Sequence, residues 1–546
     1  MAKTPLFTCD NQTKRRLSKP WKVFFLVSLL TLASGCAGRE YVVKGENLQA
    51  NMREDNFRTF YEIFVGGFSD SNEDGIGDLK GIQNRLDYLN DGDPNSGKSL
   101  GVNGLWLMPI MPSPSYHKYD VTNYKAVDGH YGTLDDFSAL VAECQNRGID
   151  VIIDLVLNHT SSQHPWFKQA KADLQAGNMD SPYIGYYSIV PSGNRESGKT
   201  YYSLYGDYYY EGNFSASMPE LNMDNPAVLE EISSIIDFWL DLGVSGFRLD
   251  AAKYIYLGET QKNIDFWTWF MDTVRAKKAD AFVVGEVWSG DSLIAPYYTN
   301  FSNFDFGMAG SEGEVAFCAN GSEDVNSYVS YLNRYRNMVT AYNEEAVLAP
   351  FISNHDMNRA AGYLSVTDGR MQIAANLYLW TFGSPFIYYG EEIGMKGSRG
   401  SESTDANRRL AMLWGDKDTV ENPAGSTYPD ANQTNGTVAS QKSSSTSLYT
   451  HYKKAIMIRN ANPEIARGTY TVLNFDGYFT FGGFLSTYES STVGVFHNTG
   501  EESLTIDLSL YTDHVFSTVR GYAGQGKASL NGTVLTLDGL TSVVLK

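Results

Sequence analysis

Four short apolar runs in this chain each stop at a carboxylate or a histidine: VIIDLVLNH (151–159), GFRLDAAK (246–253), FVVGEVW (282–288) and PFISNHD (350–356). Each reads as a buried strand that ends at a group capable of acid–base or nucleophilic work. In a parallel barrel all strands point the same way, so their ends converge on one face. That geometry gathers His159, Arg248, Asp250, Glu286, His355 and Asp356 from distant parts of the chain. Taken singly, the Arg-Leu-Asp triplet reads as a surface ion pair, and each histidine, standing next to an asparagine, as a structural hydrogen-bonder. Placed together after strands three, four, five and seven, they read as a site.

After residue 55 strand-like runs alternate with helix-like segments. Eight strand candidates stand at 59–66, 102–109, 150–156, 244–249, 281–287, 303–307, 349–353 and 384–389, with helical patterns such as 134–148 and 228–243 between them. The fold class this predicts is α/β: a (β/α)8 barrel with an inserted subdomain after strand 3 and a C-terminal antiparallel β-sandwich. The barrel takes 55–159 and 223–466. The insertion is 160–222, rich in Tyr, Gly, Ser and Asn, and its length marks it as a functional excursion. Residues 396–445 are expected to be exposed loops, followed by a helix near 448–461. From 467 to 546 the pattern changes to short alternating strands, as in TYTVLNF, STVGVFHN, SLTIDLS, GTVLTLD and TSVVLK.

The amino terminus reads as a targeting segment. Lys3, Lys14, Arg15, Arg16, Lys19 and Lys22 precede an apolar stretch, Val23–Ala33, that is too short to span a bilayer. It ends in Leu-Ala-Ser-Gly-Cys (32–36), similar to a bacterial lipoprotein signal, in which Cys36 bears the lipid. The expectation is a signal segment 1–35, a tether 36–54 and export to a membrane surface. The formal net charge is −20, and removing the basic leader leaves about −25, a surface that repels phosphate backbones and argues against nucleic acid as a partner. Cys144 and Cys318 remain, distant from each other in apolar contexts, and are expected to be free and buried. The 36 Tyr and 9 Trp suit sugar rings as well as cores.

These runs resemble the α-amylase superfamily, glycoside hydrolase family 13. GVNGLWLMP (101–109) looks like its second barrel strand, DLVLNH (154–159) its third, GFRLDAAK its fourth, GEVW (285–288) its fifth, FISNHD its seventh and GSPFIYYGEEIGM (383–395) its eighth. MPELN (218–222) resembles the motif that closes the inserted subdomain. YEIFV, DYLNDGDP and SYHKYDVT resemble stretches of bacterial lipoprotein α-amylases in the subgroup intermediate between oligo-1,6-glucosidases and neopullulanases.

Breaking a glycosidic bond needs a proton for the leaving oxygen and negative charge facing the oxocarbenium-like carbon. Two carboxylates about 5–5.5 Å apart do this with retention, and about 6.5–9.5 Å apart with inversion. The resemblance implies retention, with Asp250 as nucleophile, Glu286 as general acid–base and Asp356 as the third carboxylate on the sugar. Arg248, two residues before Asp250 on the same strand face, can hold that carboxylate ionised. The apolar run before Glu286 favours its protonated form. The resemblance further assigns His159 and His355 to sugar hydroxyls, Tyr119 to the platform under the ring and Lys253 to the leaving-group side.

DSNEDGIGD (70–78) places Asp70, Asn72, Asp74, the Ile76 carbonyl and Asp78 at EF-hand-like spacing, without the closing glutamate. The resembled family holds a structural calcium there, so Ca2+ is the expected cofactor. No second calcium is predicted, because Tyr254 stands where many calcium-dependent relatives have His. The expected activity is cleavage of internal α-1,4 bonds in an α-glucan polysaccharide or oligosaccharide. An exo-acting glucosidase, a transglycosylase on the same frame and a non-enzymatic glucan-binding protein remain alternatives.

Overall fold

The computed structural model describes residues 48–401 and 403–546. The expected signal segment, Cys36 and most of the tether lie outside the described residues. The last part of the expected tether lies against the body: Leu48 is buried, and Asn51 donates its N–H to the Asn460 carbonyl at 2.9 Å. No helix among the described residues is long and apolar enough to cross a membrane.

In chain order, β1 (Phe60–Ile63), β2 (Gly104–Leu107) and β3 (Asp150–Leu155) open a parallel sheet. Within the stretch 160–222, β4 (Ile189–Pro191), β5 (Tyr201–Tyr205) and β6 (Tyr208–Glu211) form a separate antiparallel sheet, after a helix at Pro165–Ala176. The chain then returns to the parallel sheet with β7 (Gly246–Leu249), β8 (Phe282–Gly285), β9 (Ser302–Asn303) and β10 (Phe386–Tyr388). Among the described residues the strand order is β10-β1-β2-β3-β7-β8-β9.

Residues 348–352 bridge the two ends of that sheet. On one side Phe304 and Ala349 form a parallel bridge, and Asp305 donates its N–H to the Ala349 carbonyl at 3.1 Å. On the other, Ser384 donates to Leu348 at 2.7 Å and Phe386 to Pro350 at 2.9 Å. The barrel therefore closes, but the expected strands at 303–307 and 349–353 are reduced to a two-residue strand and a bridge. Pro350 has no N–H to give to a ladder. Asp305 also leaves the strand path: its Oδ1 accepts the Tyr331 hydroxyl at 2.5 Å and the Gly307 N–H at 3.1 Å.

The alternation of inward and outward side chains explains why the barrel has an apolar floor and a polar mouth. Phe60, Trp106, Ile152, Phe282, Val284, Phe304, Phe351 and Phe386 fill the interior, with Phe60 stacked on Phe386 at 4.6 Å and on Phe282 at 5.0 Å. Two residues further along the same faces stand Glu62 after Phe60, Asp154 after Ile152 and Glu286 after Val284. On β7 the sequence is Gly246, Arg248, Asp250. Gly246 has φ +155°, and a Cβ there would lie 1.8 Å from the Phe282 carbonyl oxygen, so only glycine lets β7 approach β8 at this level.

Helices cover the outside. Leu134–Asn146 opens with a capping box between Thr133 and Asp136, and buries Phe137, Leu140, Val141 and Cys144 at helical spacing. Pro226–Asp241 starts from Asn225, which caps the Ala227 N–H, and buries Val228, Ile232, Ile235, Ile236 and Trp239. Cys144 and Cys318 are buried and free.

The carboxyl-terminal part forms two antiparallel sheets. One has the order β11-β12-β13-β18-β15, from β11 (Thr469–Leu473), β12 (Phe481–Tyr488), β13 (Ser491–Asn498), β15 (Val519–Gly524) and β18 (Thr541–Leu545). The other is β14-β17-β16, from β14 (Leu504–Asp507), β16 (Ala528–Asn531) and β17 (Val534–Leu537). Phe475, Phe481, Phe496, Leu535, Leu537, Val543 and Leu545 make a shared core. β12, β15 and β16 add to the five strands legible in the sequence. In β12 the pair Gly482–Gly483 hid the pattern, and a Cβ on Gly482 would meet Val325 at 2.8 Å, at the start of the helix Val325–Thr340 packed on that strand.

Candidate active site

The parallel register sets Asp154 of β3 beside Arg248 of β7. Arg248 is fully buried, and its Nη1 donates to Asp154 Oδ1 at 2.8 Å and to Asp250 Oδ1 at 2.7 Å. Its Nη2 lies 3.0 Å from Glu286 Oε2, which also accepts the Ala251 N–H at 3.0 Å. One guanidinium thus serves three carboxylates. Burial pushes Asp154 up to about 7, with Arg248 opposing and Asp250 adding to it. Burial also raises Glu286; Arg248 opposes the rise, and the neighbouring Asp250 and Asp356 reinforce it. Arg248 itself keeps its charge, because Asp154, Glu286 and Asp250 outweigh the cost of burial.

Asp356 faces this group from the chain after residue 352. Its Oδ2 lies 3.0 Å from His355 Nε2, and its Oδ1 accepts from Arg409 Nη2 at 2.6 Å. Burial works to raise its carboxyl, but His355, Arg409 and Arg248 hold it well below the usual carboxylate range. His355 is buried, which works to lower it, yet Asp356 and Glu62 raise it to about 9. The Tyr119 hydroxyl lies 2.7 Å from His355 Nε2 and donates to Asp154 Oδ2 at 3.1 Å, which ties the two halves of the site together.

These groups open onto a cavity of about 740 Å3. Tyr119, His159, Asp250, Lys253, Glu286 and Asp356 line it, while Arg248, Asp154 and His355 lie behind the wall. His159 is buried and held neutral by that burial, with its Nε2 unpaired by protein. Lys253 donates from Nζ to the Trp288 carbonyl at 2.6 Å. Phe214 and Trp288 are both 44% exposed at the cavity and offer flat apolar faces; Trp288 is stacked on Phe306 at 5.0 Å.

His355, expected on a sugar hydroxyl, is instead fully buried with both ring nitrogens on protein partners, and so backs Asp356. The structure otherwise brings together the residues expected at the strand-end face. It adds Glu62, Asp154, Arg409, Phe214 and Trp288. Glu62 and Asp154 are legible in hindsight as the inward neighbours of Phe60 and Ile152. Arg409 sits in an irregular loop with no periodicity to mark it.

The loop 70–78 is wrapped by left-handed residues at Glu73 (φ 66°) and Gly75 (φ 87°). Asp70 accepts from the N–H groups of Asn72, Glu73 and Gly75 and from the Thr419 hydroxyl. Asn72 Oδ1 accepts from the Asp74 N–H, and Asp74 Oδ1 from the Ile76 N–H. Asp78 caps the helix Leu79–Asn84 through Gly81 and binds Ser71. The donors are hard oxygens on one short loop, the type calcium takes. Among the described residues, no three or more His, Cys, Asp or Glu side chains form a group that could hold a metal ion, so the loop presents ligands without a closed cage.

The family described as "Alpha amylase, catalytic domain" matches residues 62–468. Alpha-amylase 3 of Dictyoglomus thermophilum is 38% identical over 73% of this chain and 76% of its own length. The solved structure of Eubacterium rectale Amy13B superposes with a TM-score of 0.84 at 38% identity, covering 91% of this chain and 96% of that one. The oligo-1,6-glucosidase of Parageobacillus thermoglucosidasius is 28% identical over 77% of this chain and 86% of its own.

Proposed function

The chain belongs to the α-amylase family of glycoside hydrolases, and from that membership we propose that it cuts internal α-1,4-glucosidic bonds of starch, glycogen or maltooligosaccharides with retention. Glu286, whose proton burial helps to keep, gives it to the glycosidic oxygen as the bond to the anomeric carbon breaks. Asp250, oriented by Arg248, bonds to that carbon and forms a glycosyl-enzyme. Water then attacks the same carbon, Glu286 takes its proton, and Asp250 leaves. Asp356, kept ionised and held from behind by His355, binds sugar hydroxyls and favours the distorted ring, with His159 as a hydrogen-bonding partner and Tyr119 beneath the ring.

The observation that carries this reading is the contact of one buried guanidinium with Asp250 through Nη1 and with Glu286 through Nη2. The exposed faces of Phe214 and Trp288 beside the cavity support a substrate of several sugar rings. Product analysis on starch, maltotriose, isomaltose and pullulan tests it. Mixed maltooligosaccharides from starch are expected; glucose released only from chain ends, or preferential cleavage of isomaltose, would defeat it.

Two further expectations belong to this proposal. Calcium held by Asp70, Asn72, Asp74, the Ile76 carbonyl and Asp78 would tie down the loop after β1, with no part in the chemistry. Cys36 would carry a lipid that anchors the exported enzyme to a bacterial membrane. Incorporation of labelled palmitate that is lost in Cys36→Ala is the expected result for the anchor, and equal labelling of both proteins would refute it.

A further inference from the structure

Glu62 takes no part in the steps above. It is the inward residue near the end of β1, and it is 1% exposed. Its Oε1 lies 2.5 Å from His355 Nδ1 and accepts the His355 backbone N–H at 3.4 Å. The other ring nitrogen, Nε2, lies 3.0 Å from Asp356 Oδ2 and 2.7 Å from the Tyr119 hydroxyl. The ring has no exposed surface: Tyr119 stacks on it at 5.6 Å, and Trp106 meets it edge-on at 5.5 Å.

A carboxylate therefore faces each nitrogen of one buried imidazole. A neutral ring carries a single N–H. If it sits on Nδ1, the bare Nε2 lone pair points at Asp356; if it sits on Nε2, the bare Nδ1 points at Glu62. Only the doubly protonated ring gives both acids a donor.

We propose that Glu62 is a positioning residue for the hydrolysis: by accepting the Nδ1 proton it fixes His355 as an imidazolium, whose Nε2–H then holds Asp356 and Tyr119 in place. The consequence for catalysis rests on the α-glucan reading of the cavity, whereas the state of the ring does not.

The surrounding charges agree. Asp356 on the same segment and Glu62 on β1 favour the imidazolium, as does Asp154 on β3. Arg248 on β7 and Arg409, whose Nε donates to the His355 carbonyl at 3.3 Å, oppose it. Tyr119, after β2, and Tyr388 and Tyr389, at and after the end of β10, are held neutral by burial. Burial lowers His355, and the two flanking carboxylates outweigh it to raise the ring to about 9. A glutamine at position 62 can turn its amide N–H toward Nδ1, which leaves a neutral ring with its one proton on Nε2 and removes the requirement for charge.

The test is histidine 15N NMR of the full chain, with the His355 signals assigned by their loss in His355→Gln. In the unsubstituted protein both ring nitrogens are expected to stay protonated through pH 8. In Glu62→Gln the midpoint falls by at least one pH unit, and the ratio of kcat/KM on maltohexaose at pH 8 to that at pH 5.5 drops about tenfold or more. Glu62→Asp restores part of both. A His355 ring that is neutral at pH 7 in the unsubstituted protein overturns the proposal even if no variant folds, and so does a midpoint unchanged in Glu62→Gln. Failure to hydrolyse any α-glucan, with the ring titrating as stated, would instead overturn the functional reading alone.

Discussion

Arg409 Nη2 donates to Asp356 Oδ1 at 2.6 Å from across the cavity wall, and the same guanidinium reaches the His355 carbonyl through Nε. Asp356 is thus gripped from two sides, by an arginine on one loop and a histidine on another.

Loss of one grip should misplace the carboxylate without removing it. Arg409→Ala is expected to lower kcat/KM on maltohexaose on the order of a hundredfold, the scale of a misplacement of about an ångström. Arg409→Lys keeps the charge but not the fork and should fall between. Steady-state kinetics decide, and a loss under twofold in the alanine variant would contradict the role.

Glu286→Gln removes the transferable proton and keeps the shape. Turnover should fall on the order of 10²–10⁴-fold while maltohexaose still binds by calorimetry. Unchanged turnover would remove Glu286 from the acid–base assignment.

Glu391 is a buried acid outside the reaction, accepting from Tyr378 at 2.6 Å, Tyr452 at 2.8 Å and Ser353 at 3.1 Å. Burial raises it to about 8 despite those donors. Between the ordinary glutamate value and that point, the native carboxyl keeps a proton that the unfolded chain releases, so stability falls as pH rises through the window. The slope from this group is about 1.4 kcal/mol per pH unit. Urea unfolding at pH 5, 6, 7 and 8 should show a flatter profile in Glu391→Gln; parallel profiles would place the pH dependence elsewhere.

Calcium should raise the melting temperature relative to a chelator-treated sample by several degrees if it closes the 70–78 loop. Asp74→Ala should abolish the difference, because Asp74 is an exposed carboxylate of that loop. Identical melting with calcium and with chelator would remove the metal.

Trp288 presents a flat, part-exposed face at the cavity while its ring rests on Phe306. Trp288→Ala should raise KM several-fold for maltohexaose and change it less for maltotriose. Equal effects on both substrates would move Trp288 out of the chain-length determinants.

Much of the site was legible in the sequence because strand periodicity and barrel polarity act together. Once GFRLDAAK is a strand of a parallel barrel, Arg248 and Asp250 must share its inner face at the open end. Strand lengths were less legible. Pro350 and the turn at Asp305 interrupt the ladder in a chain that still looks apolar. Gly482 and Gly483 conceal a strand that the packed helix at Val325 requires. Arg409 was not legible, since its partner Asp356 is supplied by folding and not by local spacing.

Arg248 is also the sole cation in contact with Asp154, Asp250 and Glu286 among the described residues. Replacing it with a neutral side chain would leave mutually repelling acids enclosed in the barrel, a lesion worth about 3–5 kcal/mol for even one stranded partner. An inactive protein lacking this arginine would therefore report a failure of assembly and say nothing about catalysis.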